Sequence, residues 1–448
     1  MVFSAIKKIL PKTVLKKIRP IWHGFLAQAA AIRYGNPSER MLVIGVTGTA
    51  GKSTTIQMLA EILREGGIKT GFITTAGFSN GGQLEDNYEG LSMPGGFAMQ
   101  DALLDILDSG CGCAIVECTS EGLAQNRHLG INFDMALLTN IHAAHLEAHG
   151  GMEGYRKAKG KLFAALSLGE RKAEFPNKII GLNAETENAE YFSNFPADEK
   201  FAVISGMGEE SIAHGVRANA RTMFAVENLK TSGAGSTFEI ADVKFNLQLP
   251  GEFNAWNAAL AAGAAHMLGV ELSLAARSLA KFNGVPGRME EIQAPNGARI
   301  IIDYAPEPVG MEMALRTVQA MHPERLVHLF GSTGGHRDSK KRAEFGKISA
   351  RSADYIFITN DDVYESDPQK IADDIMVGVR SVTNRNPEVK IILDRAEAIK
   401  QAIAESKLGD IILITGKGSE RFLILPGNKR IAWNEKEFIE KLLQNYGK

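Results

Sequence analysis

Gly45-Val-Thr-Gly-Thr-Ala-Gly-Lys-Ser-Thr-Thr55 is the stretch on which the reading of the whole chain turns. A phosphate chain packs several negative charges into a small volume, so proteins hold it where backbone N–H groups converge at a helix N-terminus beside a lysine. This stretch supplies each part. Gly48 and Gly51 let the backbone curl, Lys52 can reach terminal phosphates, and the Ser53 hydroxyl is placed to ligate Mg²⁺. Gly48, Thr49, Gly51, Lys52, Ser53 and Thr54 are therefore the candidate nucleotide-binding residues of the loop. The spacing departs from the standard pattern, because Val46 stands five positions before Gly51. The flanks support the reading: Met41 to Ile44 is apolar, and Met58, Leu59, Ile62 and Leu63 fall at helical spacing, which gives strand, loop and helix in that order.

Outward from the loop the same grammar repeats. Gly71 to Thr75, Cys113 to Glu117 and Met135 to Thr139 are apolar runs separated by helical stretches, the pattern of a parallel, doubly wound sheet. Residues 198 to 250 read differently, since segments such as Ser236 to Leu249 alternate and predict antiparallel strands inserted into the first domain. Asn254 to Met267 is a helix rich in small residues. After Arg288 a second series begins with Arg299 to Asp303, Leu326 to Phe330, Tyr355 to Thr359, Lys390 to Leu393 and Asp410 to Thr415. The predicted division is an N-terminal segment over 1–39, a central nucleotide-binding domain over 40–288 and a C-terminal Rossmann-like α/β domain over 289–448.

Composition narrows the function classes. Lys plus Arg (50) nearly cancels Asp plus Glu (52), which leaves no global field to grip a nucleic-acid backbone. The three cysteines, Cys111, Cys113 and Cys118, have no distant partner for a disulfide framework, and a reducing cytoplasm fits them. No run reaches the roughly 18 apolar residues of a membrane span. In the N-terminal segment, Lys7, Lys8, Lys12, Lys16, Lys17 and Arg19 alternate with Phe3, Ile6, Ile9, Leu10, Leu15 and Ile18. They predict a basic amphipathic helix broken at Pro11 and Pro20. It can dock on its own protein or lie on an anionic membrane surface.

Other residues carry chemistry. Glu117 ends an apolar strand, where an α/β sheet presents ligands to a bound group. His142, His145 and His149 fall in eight positions; His145 and His149 are spaced i, i+4, but the glutamate of a His-Glu-x-x-His helix is misplaced, which disfavours zinc hydrolysis. The basic stretch Tyr155 to Phe163 reads by itself as a solvated helix face.

Taken in order, Gly45 to Ser53, Thr139-Asn140, His145-Leu-x-x-His149-Gly150, Ala158-Lys159, Phe253-Asn254-x-x-Asn257, Val285-Pro-Gly-Arg-Met-Glu290, Asp303-Tyr-Ala305, Arg337-Asp338, Lys341-Arg342, Asp367-Pro368 and Gly416-Lys-Gly418 resemble the signatures of the Mur ligases. The likeness is greatest to the MurE type, which adds the third residue of the peptidoglycan stem peptide. It implies an ATP-dependent amide-bond ligase acting on a muramyl peptide and an amino acid through an acyl phosphate, with ATP and Mg²⁺ bound and CO₂ carried as a carbamate on Lys159. It implies that Lys52, Glu117, His145 and Lys159 are catalytic, with Ser53, Glu117, His145 and Lys159 at the metal. Asn257, Arg288 and Asp303 match nucleotide contacts. Thr119, Ser120, Gln125 and Arg127, and around the incoming amine Asp361, Asp362, Tyr364, Gly416 and Glu420, match substrate-binding positions.

The chain also departs from the family. About 40 residues precede the loop, too few for the usual UDP-binding domain. Diaminopimelate-adding members carry Asp-Asn-Pro-Arg, whereas this chain has Asp361-Asp-Val-Tyr364; Tyr364 cannot form a bidentate ion pair with a carboxylate. Asp362 adds charge that suits a cationic side chain such as lysine. Ser419 replaces a histidine, Ala144 stands where the family has aspartate, and Pro306-Glu307 replaces His-Thr. Two alternatives stay open: a folylpolyglutamate-synthetase-like or other carrier-peptide ligase, and a nucleotide-binding scaffold with weakened catalysis.

Overall fold

A computed structural model describes residues 12–85, 93–143, 146–206, 214–335 and 339–444. The phosphate loop follows β1 (Leu42–Thr47), the first strand of a sheet completed by β2 (Thr70–Thr74), β3 (Gly77–Ser79), β4 (Cys113–Glu117), β5 (Met135–Leu138), β6 (Ile179–Asn183), β7 (Glu199–Ser205), β8 (Thr222–Ser232), β9 (Gly235–Ile240) and β10 (Val243–Leu247). Its order is β10-β9-β8-β7-β6-β5-β1-β4-β2-β3. β1, β2, β4, β5 and β6 are buried along their whole lengths, as strands covered by helices on both faces must be. From β1 the chain crosses to one side, making β2 and β4, then to the other, making β5, β6 and β7. The order thus reverses beside β1, which is where an α/β sheet opens a crevice at its carboxyl ends.

The antiparallel reading of residues 198 to 250 holds only for the far edge. β7 pairs in parallel with β6 and β8, and only the hairpins β8-β9 and β9-β10 are antiparallel. The cause is burial: Phe201, Ala202 and Val203 are fully covered, whereas β9 and β10 alternate between buried and less buried positions. These strands extend the main sheet.

A second sheet is built from β11 (Glu290–Gln293), β12 (Arg299–Asp303), β13 (Leu326–Phe330), β14 (Tyr355–Ile358), β15 (Glu388–Ile391) and β16 (Ile411–Thr415), in the order β11-β12-β16-β13-β14-β15. All pairs are parallel except β11-β12. β15 begins two residues before the predicted apolar run and ends two residues before its end. A two-stranded hairpin follows, β17 (Phe422–Leu425) with β18 (Lys429–Ala432).

The alanine-rich helix Glu252–Met267 is buried from Ala258 through Ala265. Small side chains let it pack closely on the helix Lys52–Glu65 that follows the phosphate loop. The N-terminal helix Lys12–Arg33 continues through Pro20, where a break was predicted; Pro11 lies outside the described residues. A helical proline forfeits one backbone hydrogen bond, and here the Pro20 carbonyl is tied to the body by Asn126 Nδ2 at 3.2 Å. Gly24, Ala27, Ala30 and Ala31 form the docked face.

Candidate functional site

The loop after β1 is clamped by the loop after β5. Ala50 N–H donates to Asn140 Oδ1 at 2.9 Å, while Asn140 Nδ2 and Thr139 Oγ1 both donate to the Ala50 carbonyl, at 3.1 and 2.6 Å. Thr49 Oγ1 accepts from His142 N–H at 3.0 Å and lies 3.0 Å from the Tyr155 hydroxyl. Both glycines of the curl are forced. A Cβ on Gly48 would sit 1.9 Å from Thr139 Oγ1, and Gly51 has φ of +78°, with Asn257 Oδ1 2.3 Å from where its Cβ would lie. The loop therefore presents Lys52 and Ser53 at the first turn of the helix Lys52–Glu65.

Glu117, at the end of β4, accepts from the Ser53 hydroxyl at 2.7 Å. It also accepts from Thr75 N–H and Thr75 Oγ1, both at 3.0 Å. Thr75 follows β2, and only the sheet order, which sets β2 beside β4, brings it here. No sequence motif marks it. Ser53 and Glu117 present side-chain oxygens of the type that Mg²⁺ prefers; among the described residues no group of three or more His, Cys, Asp or Glu could hold a metal.

Lys159 is not on a solvated face. The face of the helix Met152–Leu168 that carries Tyr155, Ala158, Lys159, Leu162 and Phe163 is buried. Lys159 Nζ donates to the Gly48 carbonyl at 2.7 Å, the same oxygen that Lys52 Nζ reaches at 3.0 Å, and lies 4.6 Å from the Tyr155 ring centroid. Burial pushes both ammonium groups below the usual lysine range, with Glu117 pulling each back up. Lys159 is pushed well below that range, by burial first and by like-charge repulsion from Lys52 second. His145 and Ala144 lie outside the described residues. His149 meets the Ser120 hydroxyl at 3.1 Å and the Tyr155 ring.

The phosphate loop and Glu117 open onto a cleft of about 350 Å³ whose walls come from both sheets. Thr49, Gly51, Lys52, Ser53, Thr54, Glu117, Thr119, Ser120 and Arg127 line one wall with Asn257; Arg288, Asp303, Tyr304 and Glu307 line the other. Arg127 is held by the Met93 carbonyl at 2.6 Å and by Gln125 Oε1 at 2.9 Å. The Arg288 guanidinium stacks 4.5 Å from the Tyr304 ring centroid. Asp303 accepts from Met289 N–H at 2.8 Å. Burial raises its carboxyl to about 6, against the pull of Arg288 and the backbone N–H groups of Met289 and Ala305. Glu307, at a position where the chain departs from the family, is a further cleft residue and pairs with Lys341.

Asp361, Asp362 and Glu420 converge on one buried ammonium, Lys417, at 3.8, 2.9 and 2.5 Å. Burial lowers the Lys417 pKa, but the three carboxylates outweigh it and hold the group above its usual range. This corrects the expectation for Asp362. Its Oδ1 is engaged by Lys417 and by Ile424 N–H at 2.9 Å, so its charge fastens β17 instead of standing free for a cationic side chain. Glu420 Oε1 is 3.5 Å from the Tyr304 hydroxyl on the cleft wall, and Gly416 is tight against Asp361, whose Oδ2 lies 2.8 Å from the position of a Cβ there.

Two family models match the chain: the Mur ligase middle domain over residues 46–265 and the Mur ligase, glutamate ligase domain over 287–418. The chain is 34% identical over 433 residues to the UDP-N-acetylmuramyl-tripeptide synthetase of Roseiflexus sp. (strain RS-1), covering 94% of this chain and 82% of that one. It is 33% identical over 419 residues to the UDP-N-acetylmuramoyl-L-alanyl-D-glutamate--2,6-diaminopimelate ligase of Geobacillus kaustophilus, covering 92% and 81%. A solved structure of a ligase with that second name superposes with a TM-score of 0.56 at 26% identity, over 90% of this chain and 78% of that one. The Thermotoga maritima MurF ligase, solved in complex with ADP, shares the fold at a TM-score of 0.60 and 18% identity, over 88% and 80%. The phosphate loop, the strand-end carboxylate and the two-walled cleft thus sit in a chain that belongs to the Mur ligase family, whose members are ATP-dependent amide ligases.

Proposed function

We propose that the chain is a MurE-type ligase that joins an amino acid to the free carboxylate of a muramyl peptide, with ATP spent and Mg²⁺ bound, and that it works as a domain over 40–288 closing against one over 289–448. The observation that carries this reading is the convergence of Lys52, Ser53 and Glu117 at the C-terminal ends of β1 and β4, inside a cleft lined from both sheets, with Lys159 buried behind the loop on the Gly48 carbonyl.

In the first step a carboxylate oxygen of the acceptor attacks the γ-phosphorus, and the bond to the β,γ-bridging oxygen breaks. The products are an acyl phosphate and ADP. Lys52 leaves the Gly48 and Thr49 carbonyls for the phosphates, and the amides at the start of its helix offset the charge that develops. In the second step the amine nitrogen attacks the acyl carbon, inorganic phosphate leaves, and the nitrogen gives up a proton. Water would destroy the acyl phosphate, so the cleft must shut during the reaction. Arg288, Asp303 and Asn257 are assigned to the nucleotide, and Thr119, Ser120, Gln125 and Arg127 to the acceptor. Asp361, Glu420 and Gly416 are assigned to the incoming amine, with Tyr364 in place of the arginine that would grip a distal carboxylate.

Ser53 and Glu117 would hold Mg²⁺, which neutralises phosphate charge when bound. Lys159 is assigned to carbamylation. A neutral amine adds to CO₂ with release of one proton, and Lys159 is pushed toward the neutral form by burial and by Lys52. The anionic product would serve as an oxygen ligand beside Glu117.

Phosphate release measured with ATP, Mg²⁺ and bicarbonate, across a matrix of UDP-muramyl dipeptide, folate and candidate amines, tests the assignment. Release that needs both muramyl peptide and one amine supports it; release with folate and glutamate, or with no pair at all, overturns it.

A further inference from the structure

We infer that the N-terminal helix Lys12–Arg33 is an interfacial anchor that lays this enzyme on an anionic lipid surface. The helix has two faces. One is a close seam of small residues: Gly24, Ala27, Ala30 and Ala31 are buried, and a Cβ on Gly96 of the neighbouring helix would come within 2.5 Å of the Ala27 Cα. Such a seam fixes the helix rigidly to the body. The other face is apolar and uncovered. Ile21 is 72%, Phe25 62% and Ile32 75% exposed, at spacings that line one side of a helix, with Ile18 above them in the same row.

Phe97, 45% exposed, extends the patch onto the next helix, where its ring meets that of Tyr34 at 6.5 Å. Single exposed apolar side chains need no explanation, but a contiguous row does. Among the described residues no helix is long and apolar enough to cross a membrane, so this row fits a surface it lies on.

Charge selects the occupant. Positions 1–38 contain Lys7, Lys8, Lys12, Lys16, Lys17, Arg19 and Arg33 and no aspartate or glutamate. That segment carries +7, and the remaining chain, by difference from the net charge of −2, carries −9. A bilayer with anionic headgroups presents a continuous negative surface, to which each nearby Lys or Arg adds affinity. Apolar side chains buried among acyl chains supply the rest. The anchor also adjoins the cleft: Asn126, which donates to the Pro20 carbonyl, is next in the chain to Arg127 on the cleft wall.

Flotation of the full chain with phosphatidylcholine vesicles, with and without phosphatidylglycerol, tests this. The chain should float with the anionic vesicles, weakly or not at all with the neutral ones, and less as salt rises. The triple variant I21S/F25S/I32S, altered only at exposed positions and checked for an unchanged melting temperature, should bind at least about tenfold more weakly. Failure of the wild type to float with anionic vesicles overturns the inference, as does equal flotation of the variant. A wild-type dimer that the variant converts to monomer, with neither binding vesicles, overturns it in favour of a second copy as the occupant.

Discussion

Two lysine side chains end on one carbonyl oxygen, that of Gly48, and two ammonium groups so placed cannot both keep their protons cheaply. That conflict makes Lys159 a candidate for modification and not merely a buried lysine. Lys159→Ala should lower the ligase rate by about two to three orders of magnitude, the scale of losing one group that stabilises transition-state charge. Added acetate should restore part of it by standing in for the lost carboxylate. A variant at full activity would remove the carbamate from the account. Asp303 carries a second conflict. Its folded-state carboxyl titrates near 6 against about 3.9 for a free aspartate, so the folded protein binds the extra proton. Stability from this group is fully present below the unfolded value and is lost as pH rises through the folded one. Between pH 4 and 7 the wild type should therefore lose about 2 kcal/mol that Asp303→Asn does not lose, by chemical denaturation at each pH. The same substitution should weaken ATP binding, the sign of a residue kept for function. The phosphate-loop residues and Glu117 were legible because they sit in a motif or at a strand end. Thr75 was not, because nothing in its own segment marks it and only the β2-β4 pairing brings it to Glu117.

At the scale of elements, the sheet end opposite the site is held by one acid. Asp134, just before β5, pairs with Lys172 and Lys178, all three buried, and accepts from Val43 N–H in β1 at 2.8 Å. Asp134→Ala would leave two buried ammonium groups without their partner and should cost about 3–5 kcal/mol. Denaturant unfolding followed by far-UV circular dichroism would measure it, and a loss below about 1 kcal/mol would show that the cluster behaves like a surface pair. Most strands were legible to within a residue or two, since a strand covered on both faces is an unbroken apolar run. The reading erred where burial and alternation mix: β7 is a central parallel strand, but its flanks are half-covered and look like an edge. Pro20 misled for a related reason. Local propensity ends a helix at proline, and the Gly24, Ala27, Ala30 and Ala31 seam, a tertiary contact, overrides it.

At the scale of the molecule, the cleft has one wall from each sheet, so a nucleotide that touches both couples them. Saturation with ADP at 100 times its Kd should add about 2.7 kcal/mol to the stability of the folded chain, seen as a rise in melting temperature, and Arg288→Ala should shrink that rise. The order of the walls was legible from two series of strands with Arg288 between them. The set of carboxylates around Lys417 was not, because residues 361, 362 and 420 meet only when β16 inserts between β12 and β13. Above all this stands the claim that the chain spends ATP to activate a carboxylate. Its most direct test supplies a muramyl dipeptide whose free carboxylate carries ¹⁸O, with ATP, Mg²⁺ and the amine that supports turnover, and weighs the released phosphate by mass spectrometry. An acyl phosphate predicts one ¹⁸O in each phosphate formed; unlabelled phosphate would mean that ATP is hydrolysed without passing through the carboxylate, and would contradict the account.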